Sequence, residues 1–189
     1  MTSPVASPLL TAEEFGRLEP SPGLDLELVC GRVVEVTLAK TGHGRRGARI
    51  DRMLNAFAVR HQLGDTTGEG AYLVSRAPDT VRAPDAAFIA NDRIPPGGIP
   101  DDLYIEGSPT LAVEVVSGSD REEGVAGKAA MWLAAGAERV WEVRPRLRTV
   151  TVHRAGSEPT TLRVGDTLTS DDAAFSVEGF ELPLADIFA

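Results

Sequence analysis

The most constraining feature of the chain is an apolar run at residues 110–116 that contains a single acid, Glu114. A run this apolar is typical of a central strand buried on both faces, where parallel pairing with covering helices is usual. The next segment predicts a helix that is capped at residues 119–120 and ends near Ala135, and a new strand begins at Val140. Strand, helix and strand in this order predict a right-handed crossover.

The remaining segments add a hairpin, a second long helix and further strands. A capping box predicts a short helix from residue 12 to Pro20, and the alternation that follows predicts a β-hairpin at residues 24–38 with its turn at Gly31. A glycine-rich stretch at residues 41–44 opens a helix of about 18 residues. Other strands are predicted at residues 70–75, 83–90, 149–153 and 160–163, with a long surface loop at residues 91–107. The prediction is an α/β fold in one domain, residues 1–189, with a mixed central sheet flanked by helices and an N-terminal β-hairpin.

Composition and charge narrow the class of protein. The chain of 189 residues carries a formal net charge of -9, which argues against a nucleic-acid coat protein or a membrane-surface binder, because either depends on a broad cationic face. No apolar run reaches the ~18 residues of a transmembrane helix. Residues 1–10 resemble neither a signal peptide nor a membrane span, and we expect them to be disordered. The single cysteine, Cys30, indicates a reducing, cytoplasmic compartment, and we interpret it as a small core hydrophobe rather than a reactive thiol.

Three acids stand in or beside apolar strands. Glu114 lies inside the central strand, Asp85 directly precedes the apolar residues 86–89, and Glu27 alternates with leucines in the hairpin. Burying an unpaired carboxylate is costly unless a metal or a partner compensates its charge. Three such acids can converge on one hard divalent cation, and oxygen ligands select Mg²⁺ or Mn²⁺ over Zn²⁺.

Each acid also has an ordinary structural interpretation. Glu114 could pair with an arginine in the core, Asp85 could cap a turn after Pro84, and Glu27 could face solvent at a sheet edge.

Lysine is rare in this chain, which has arginine at almost every other cationic position and lysine only at Lys40 and Lys128. Lys128 falls in the helix after the Glu114 strand. A crossover helix packs back over its own strand, so this lysine can reach the strand's carboxyl end and stabilise charge that develops beside a metal. Taken alone, Lys128 is an ordinary solvated helix residue.

At these residues the chain resembles the Uma-two family of endonucleases, a branch of the PD-(D/E)XK superfamily with a restriction endonuclease-like fold. The resemblance extends over about residues 11–188. The matching segments are Leu26-Glu-Leu-Val-Cys-Gly-Arg-Val-Val-Glu-Val36, Ala83-Pro-Asp-Ala-Ala-Phe-Ile89, Ser108-Pro-Thr-Leu-Ala-Val-Glu-Val-Val-Ser117, Lys128 with Trp132, Ala135-Gly-Ala137, Val140-Trp-Glu-Val143 and Gly179-Phe-Glu-Leu-Pro-Leu184.

The resemblance implies a role for each proposed site residue. Asp85 and Glu114 would be metal ligands, with the main-chain carbonyl of Val115 as a further one. Lys128 would be the catalytic lysine. Glu27 matches the acid of the family's first hairpin and would help to position the metal or a water molecule.

The sequence departs from the family pattern at three positions. Val116 stands where the superfamily usually has its lysine, two residues after the acid, so the lysine must come from the following helix. Trp132 replaces a tyrosine that usually follows the lysine by four residues. Arg144 replaces an acid often found after the Trp-x-Val strand.

The long helix is the candidate surface for binding DNA. Arg45, Arg49 and Arg52 project from one side of it and could follow a phosphate backbone, although a charged stripe opposite an apolar one is also what any surface helix shows. His43, in the glycine-flanked entry to this helix, could contact a phosphate or the leaving group, although a loop histidine is often only solvated.

These features predict a Mg²⁺-dependent or Mn²⁺-dependent phosphodiesterase that hydrolyses DNA as an endonuclease. We expect a homodimer, because compact nucleases often pair to cut two strands, and no membrane partner. Two alternatives share every residue of the site: hydrolysis of RNA or a nucleotide, and a non-catalytic nucleic-acid-binding or regulatory module on the same fold.

Overall fold

The computed structural model describes residues 8–37, 41–102, 104–117 and 122–189. This part of the chain forms two main β-sheets, a two-stranded β-sheet and four α-helices. The helices are α1 (Ala12–Phe15), α2 (Thr41–His61), α3 (Glu122–Ala134) and α4 (Leu184–Phe188). The strands are β1 (Leu24–Val29), β2 (Arg32–Thr37), β3 (Gly64–Thr66), β4 (Tyr72–Ser75), β5 (Thr80–Arg82), β6 (Ala86–Ala90), β7 (Ile105–Glu106), β8 (Leu111–Val115), β9 (Arg139–Arg144), β10 (Thr149–Arg154), β11 (Thr160–Arg163), β12 (Thr167–Thr169) and β13 (Glu181–Pro183).

The strands divide between a small and a large sheet. The small sheet has five strands in the order β2-β1-β5-β4-β7, and the large sheet has six in the order β11-β10-β9-β8-β6-β3. Both are mixed, because β4 pairs in parallel with β7 and β8 in parallel with β9, whereas the other pairs are antiparallel. The strands β12 and β13 form a separate antiparallel pair. The predicted α/β fold with a mixed sheet and a hairpin is confirmed.

The apolar run forms β8, which lies inside the large sheet between β9 and β6. All five of its residues are buried. Helix α3 connects β8 to its parallel neighbour β9, so the predicted strand, helix and strand are confirmed. The predicted cap at residues 119–120 lies outside the described residues.

Alternate residues of the large sheet pack into two different layers. Val113 belongs to the main core, together with Leu54 of α2. Its neighbour Ala112 points the other way and packs with Trp132 of α3 and Tyr72 of the small sheet. Strand β8 is apolar on both faces because α2 covers one face, and α3 together with the small sheet covers the other.

Helix α2 approaches the start of β6 very closely. A Cβ added at Gly47 would lie 2.7 Å from the main-chain oxygen of Asp85, a contact that no side chain tolerates. The missing side chain therefore lets α2 pack against Asp85 and brings the first turn of this helix, with His43, to the same place.

Helix α1 covers the outer face of the small sheet. Its Phe15 packs with Leu28 and Val81, and the predicted capping box between Thr11 and Glu14 is present. The helix ends at Phe15 rather than at the predicted Pro20.

The predicted hairpin is confirmed as β1 and β2, but the prediction for Cys30 is wrong. This residue is exposed at the turn with a φ of 50°, because the strand alternation stops at Val29.

The predicted disorder of residues 1–10 does not hold for Leu10, whose N–H donates to the Gly31 carbonyl at 2.8 Å. Residues 1–7 lie outside the described part of the chain.

The strand predicted at residues 83–90 is shorter than expected and is preceded by a strand that the pattern did not reveal. Strand β5 belongs to the small sheet and β6 to the large one, so the chain crosses between the sheets at residues 83–85. Pro84 lies in this crossing, where the missing N–H of proline breaks no ladder. Asp85 is thereby placed between the two sheets.

Among the described residues, no helix combines the length and the apolar character that crossing a membrane requires.

Candidate active site

Glu114 lies in the layer between the sheets and is held by two side chains of α3. It follows the alternation of Ala112, which packs against Trp132. The ammonium of Lys128 donates to Glu114 Oε2 at 2.9 Å, and the indole Nε1 of Trp132 donates to Oε1 at 2.8 Å. Because α3 packs back over β8, side chains four residues apart on one helix face reach the same carboxylate. The alternative in which an arginine pairs with Glu114 does not hold.

The raised pKa of Glu114 distinguishes its contact with Lys128 from an ordinary ion pair. Burial raises the pKa of Glu114, and the nearby charge of Asp85 raises it too, while Lys128 and the Trp132 hydrogen bond lower it only in part, so that it remains above its usual value. Burial is the largest influence on the pKa of Lys128 and lowers it, but the contact with Glu114 and the charges of Glu27 and Asp85 together outweigh burial, so the pKa is raised. Lys128 is therefore held as an ammonium beside an under-compensated carboxylate.

Asp85 lies beside Glu114 and both of its oxygens accept hydrogen bonds. His43 Nε2 is 2.7 Å from Oδ1, and the main-chain N–H of Val115 donates to Oδ2 at 2.6 Å. Since these partners come from α2 and β8, the carboxylate joins two elements and does not cap a turn after Pro84. His43, predicted as a phosphate contact, lies directly against Asp85.

Glu27 faces the same layer from the small sheet but has a different partner. Its side chain is only 12% exposed, so the alternative of a solvent-facing residue is wrong, and it forms an ion pair with Arg82. The charge of Glu27 contributes to the raised pKa of Lys128, which places it at the edge of the same cluster.

The donor set fits Mg²⁺ with two carboxylates rather than three. Within the described residues, no group of three or more His, Cys, Asp or Glu side chains is arranged to hold a metal ion, so the expectation that Glu27 converges with the other two acids is wrong. The physical reason is that Arg82 already neutralises Glu27. Mg²⁺ is commonly held by one or two carboxylates that leave room for substrate phosphates, and Asp85 and Glu114 supply that set. Each of their oxygens keeps a lone pair beyond the hydrogen bond it accepts.

The arginine side of α2 is partly engaged within the protein. Arg45 donates to the carbonyl of Ala189 at 2.7 Å and Arg49 to that of Asp186 at 2.5 Å, so both satisfy carbonyls in α4 or directly after it. Arg52 is exposed to solvent. A phosphate-binding role for this side of α2 stays a prediction.

Two residues of the cluster were not predicted as site residues from the sequence. Trp132 is fully buried, and its indole also fixes Glu114. Its spacing of four residues from Lys128 was the available signal. Arg82 was not singled out, and its position three residues before Asp85 carries no signal without the knowledge that the chain changes sheets there.

The fold and the site together define a restriction endonuclease-like α/β protein. A similar fold occurs in a crystal structure described as "a putative nuclease belonging to DUF820" from Anabaena variabilis, with a TM-score of 0.77 and 18% sequence identity over 95% of this chain and 97% of that chain. The Uma2 (Uma-two) family, described as "Putative restriction endonuclease", matches residues 12–185, and the chain belongs to this family. Among curated proteins, no sequence matches the chain.

Proposed function

We propose that this protein is a Mg²⁺-dependent phosphodiesterase that cleaves DNA internally. The observation that carries the proposal is the pair of Glu114 and Lys128 beside Asp85, in the layer between the two sheets. Two adjacent carboxylates with one ammonium are the groups that phosphodiester hydrolysis needs for binding a cation and for stabilising negative charge.

Each residue has a definite task in this proposal. Asp85 and Glu114, with the main-chain carbonyl of Val115, would hold Mg²⁺, which when bound polarises the phosphoryl group. His43 and the Val115 N–H orient Asp85. Trp132 orients Glu114 by its hydrogen bond and excludes water from that side of the carboxylate.

In this proposal Lys128 contacts the substrate as well as Glu114. Its ammonium has three donors, of which one contacts Glu114, and its side chain is 39% exposed. The remaining donors can hold the attacking water or the phosphoryl oxygen on which charge develops. Because an ammonium only donates, Lys128 is an electrostatic stabiliser in this scheme.

The test is incubation of the protein with supercoiled plasmid, single-stranded DNA and RNA, each with Mg²⁺, Mn²⁺ or EDTA. We expect plasmid cleavage that requires the divalent ion and falls by at least about a hundredfold in Glu114→Gln. The matched control is Glu142→Gln, because Glu142 is the buried register partner of Glu114 on the next strand. We expect this variant to keep its activity within a few fold.

Other outcomes separate the alternatives. Cleavage of RNA alone would reassign the substrate, and DNA binding without any cleavage would favour the non-catalytic module. Cleavage that persists in EDTA, or in Glu114→Gln, would overturn the proposed site.

A further inference from the structure

Arg82 is a half-buried cation that the proposed chemistry does not use. It ends β5, its side chain is 18% exposed, and one terminal nitrogen donates to Glu27 Oε2. Its Nε–H is buried and has no hydrogen-bond partner among the described residues. Such an orphaned donor is unfavourable and rare in folded proteins, so it calls for a functional explanation.

The position of Arg82 points to the layer that holds the site. Arg82 is the register partner of Tyr72 in the small sheet, so the two side chains share one face. Tyr72 packs edge-on against Trp132, with ring centroids 6.1 Å apart, and Trp132 in turn contacts Glu114. The guanidinium thus lies on the small-sheet face that is directed at the candidate site.

The partner of Arg82 explains how it is held there. A guanidinium presents five donors in a rigid plane, which suits the oxygens of a carboxylate or a phosphate. Glu27 accepts from one terminal nitrogen and comes from a different strand, so it fixes the plane of the group without using all of its donors.

The geometry points to Arg82 as a substrate-binding residue that contacts a phosphate oxygen of the DNA strand, with Glu27 as the positioning residue that orients it. This inference rests on the proposed function. It assigns Glu27 a task different from metal binding, because a carboxylate paired with a guanidinium has little charge left to offer a cation.

The test measures equilibrium binding of a labelled DNA duplex by fluorescence anisotropy in EDTA, where no cleavage occurs, over a series of salt concentrations. The proteins are the wild type, Arg82→Gln, Glu27→Gln and the double variant Glu27→Gln/Arg82→Gln. Arg163→Gln, an exposed position on β11, controls for the loss of one positive charge elsewhere.

We expect Arg82→Gln to weaken binding by about tenfold and to reduce the salt slope by about one phosphate contact. Arg163→Gln should stay within a few fold of the wild type. Glu27→Gln removes the carboxylate that orients Arg82, so it should weaken binding, but by less than Arg82→Gln and with the salt slope of the wild type, because Arg82 keeps its charge. The double variant buries no unpaired carboxylate, so it folds even if Arg82→Gln does not, and we expect it to bind as weakly as Arg82→Gln with the same reduced slope.

Recovery of wild-type affinity and salt slope in the double variant would overturn the inference, because Arg82 would then only neutralise Glu27. Wild-type binding by Arg82→Gln would overturn it as well. Failure of the wild type itself to bind DNA at any salt concentration would instead overturn the proposed function together with this inference.

Discussion

Two buried glutamates on neighbouring strands of the large sheet differ in how fully their charges are compensated. Glu114 and Glu142 are register partners of β8 and β9, and they are 8% and 6% exposed. Burial raises the pKa of both. In Glu142 the hydrogen bonds from His153 and Arg144 overcome burial, so its pKa is lowered, whereas the pKa of Glu114 stays raised.

The difference lies in where the partners come from. Glu142 is satisfied by residues of its own hairpin, Arg144 on β9 and His153 on β10, and Arg144 also pairs with Glu122 at the start of α3. The partners of Glu114 come from the crossover helix, and only one of them carries a charge. A buried carboxylate that is left under-compensated can respond to a cation or a substrate, and such perturbed groups mark functional sites.

The largest effect should be on plasmid cleavage, when the cationic side chain that contacts each glutamate is removed. We expect Lys128→Ala to lower plasmid cleavage by about a hundredfold, because the ammonium is lost where charge develops, and Lys128→Arg to restore it only in part. Arg144→Ala should change cleavage by no more than a few fold. Equal losses of activity in Lys128→Ala and Arg144→Ala, with both proteins folded, would contradict the distinction.

A smaller effect should separate the two carboxylates in stability. Glu142→Gln loses charge-assisted hydrogen bonds and leaves Arg144 under-paired, so we expect it to lower the free energy of unfolding at pH 7 by about 1–3 kcal/mol. Glu114→Gln removes a charge whose burial is incompletely compensated and should leave stability unchanged or higher. Urea unfolding of the two variants and the wild type measures both values, and a greater loss in Glu114→Gln would reverse the comparison.

The smallest effect concerns the pH dependence of stability. The pKa of Glu142 is below its ordinary value of 4.5 in the fold, so its contribution is present above that value and is lost as the pH falls through the folded pKa. For Glu114 the sign is opposite: with the folded pKa above 4.5, the fold gains stability as the pH falls through that pKa.

Thermal unfolding between pH 3 and pH 7 checks these signs. The deficit of Glu142→Gln relative to the wild type should shrink toward the acid end of the range. Any gain in stability of Glu114→Gln over the wild type should shrink as the pH falls through the raised pKa of Glu114. This happens at a higher pH than the loss of the Glu142→Gln deficit, because the pKa of Glu142 is lowered. A deficit of Glu142→Gln that grows on acidification would contradict the assigned direction of its pKa.

The local patterns of the chain were enough to predict the central strand, the long helix α2 and the hairpin. Each depends on residues close in sequence: the apolar run of β8, the periodicity of α2 and the alternation around the turn at Gly31. The same local reasoning missed β3, β12, β13 and α4, which are three to five residues long and depend on packing partners elsewhere in the chain.

The sequence by itself determined which chemical groups were available to the site. It placed one acid in a buried strand, a second at the start of another and a rare lysine on the helix between β8 and β9, and the structure brings Lys128 to Glu114. Only the tertiary structure decided how the charges are shared. Arg82 forms an ion pair with Glu27. His43 contacts Asp85 because Gly47 lets α2 approach β6 closely, and Cys30 is exposed at the hairpin turn. The physical reason is that pairing between distant residues depends on which strands are neighbours and which way each side chain points, and neither is encoded in local periodicity.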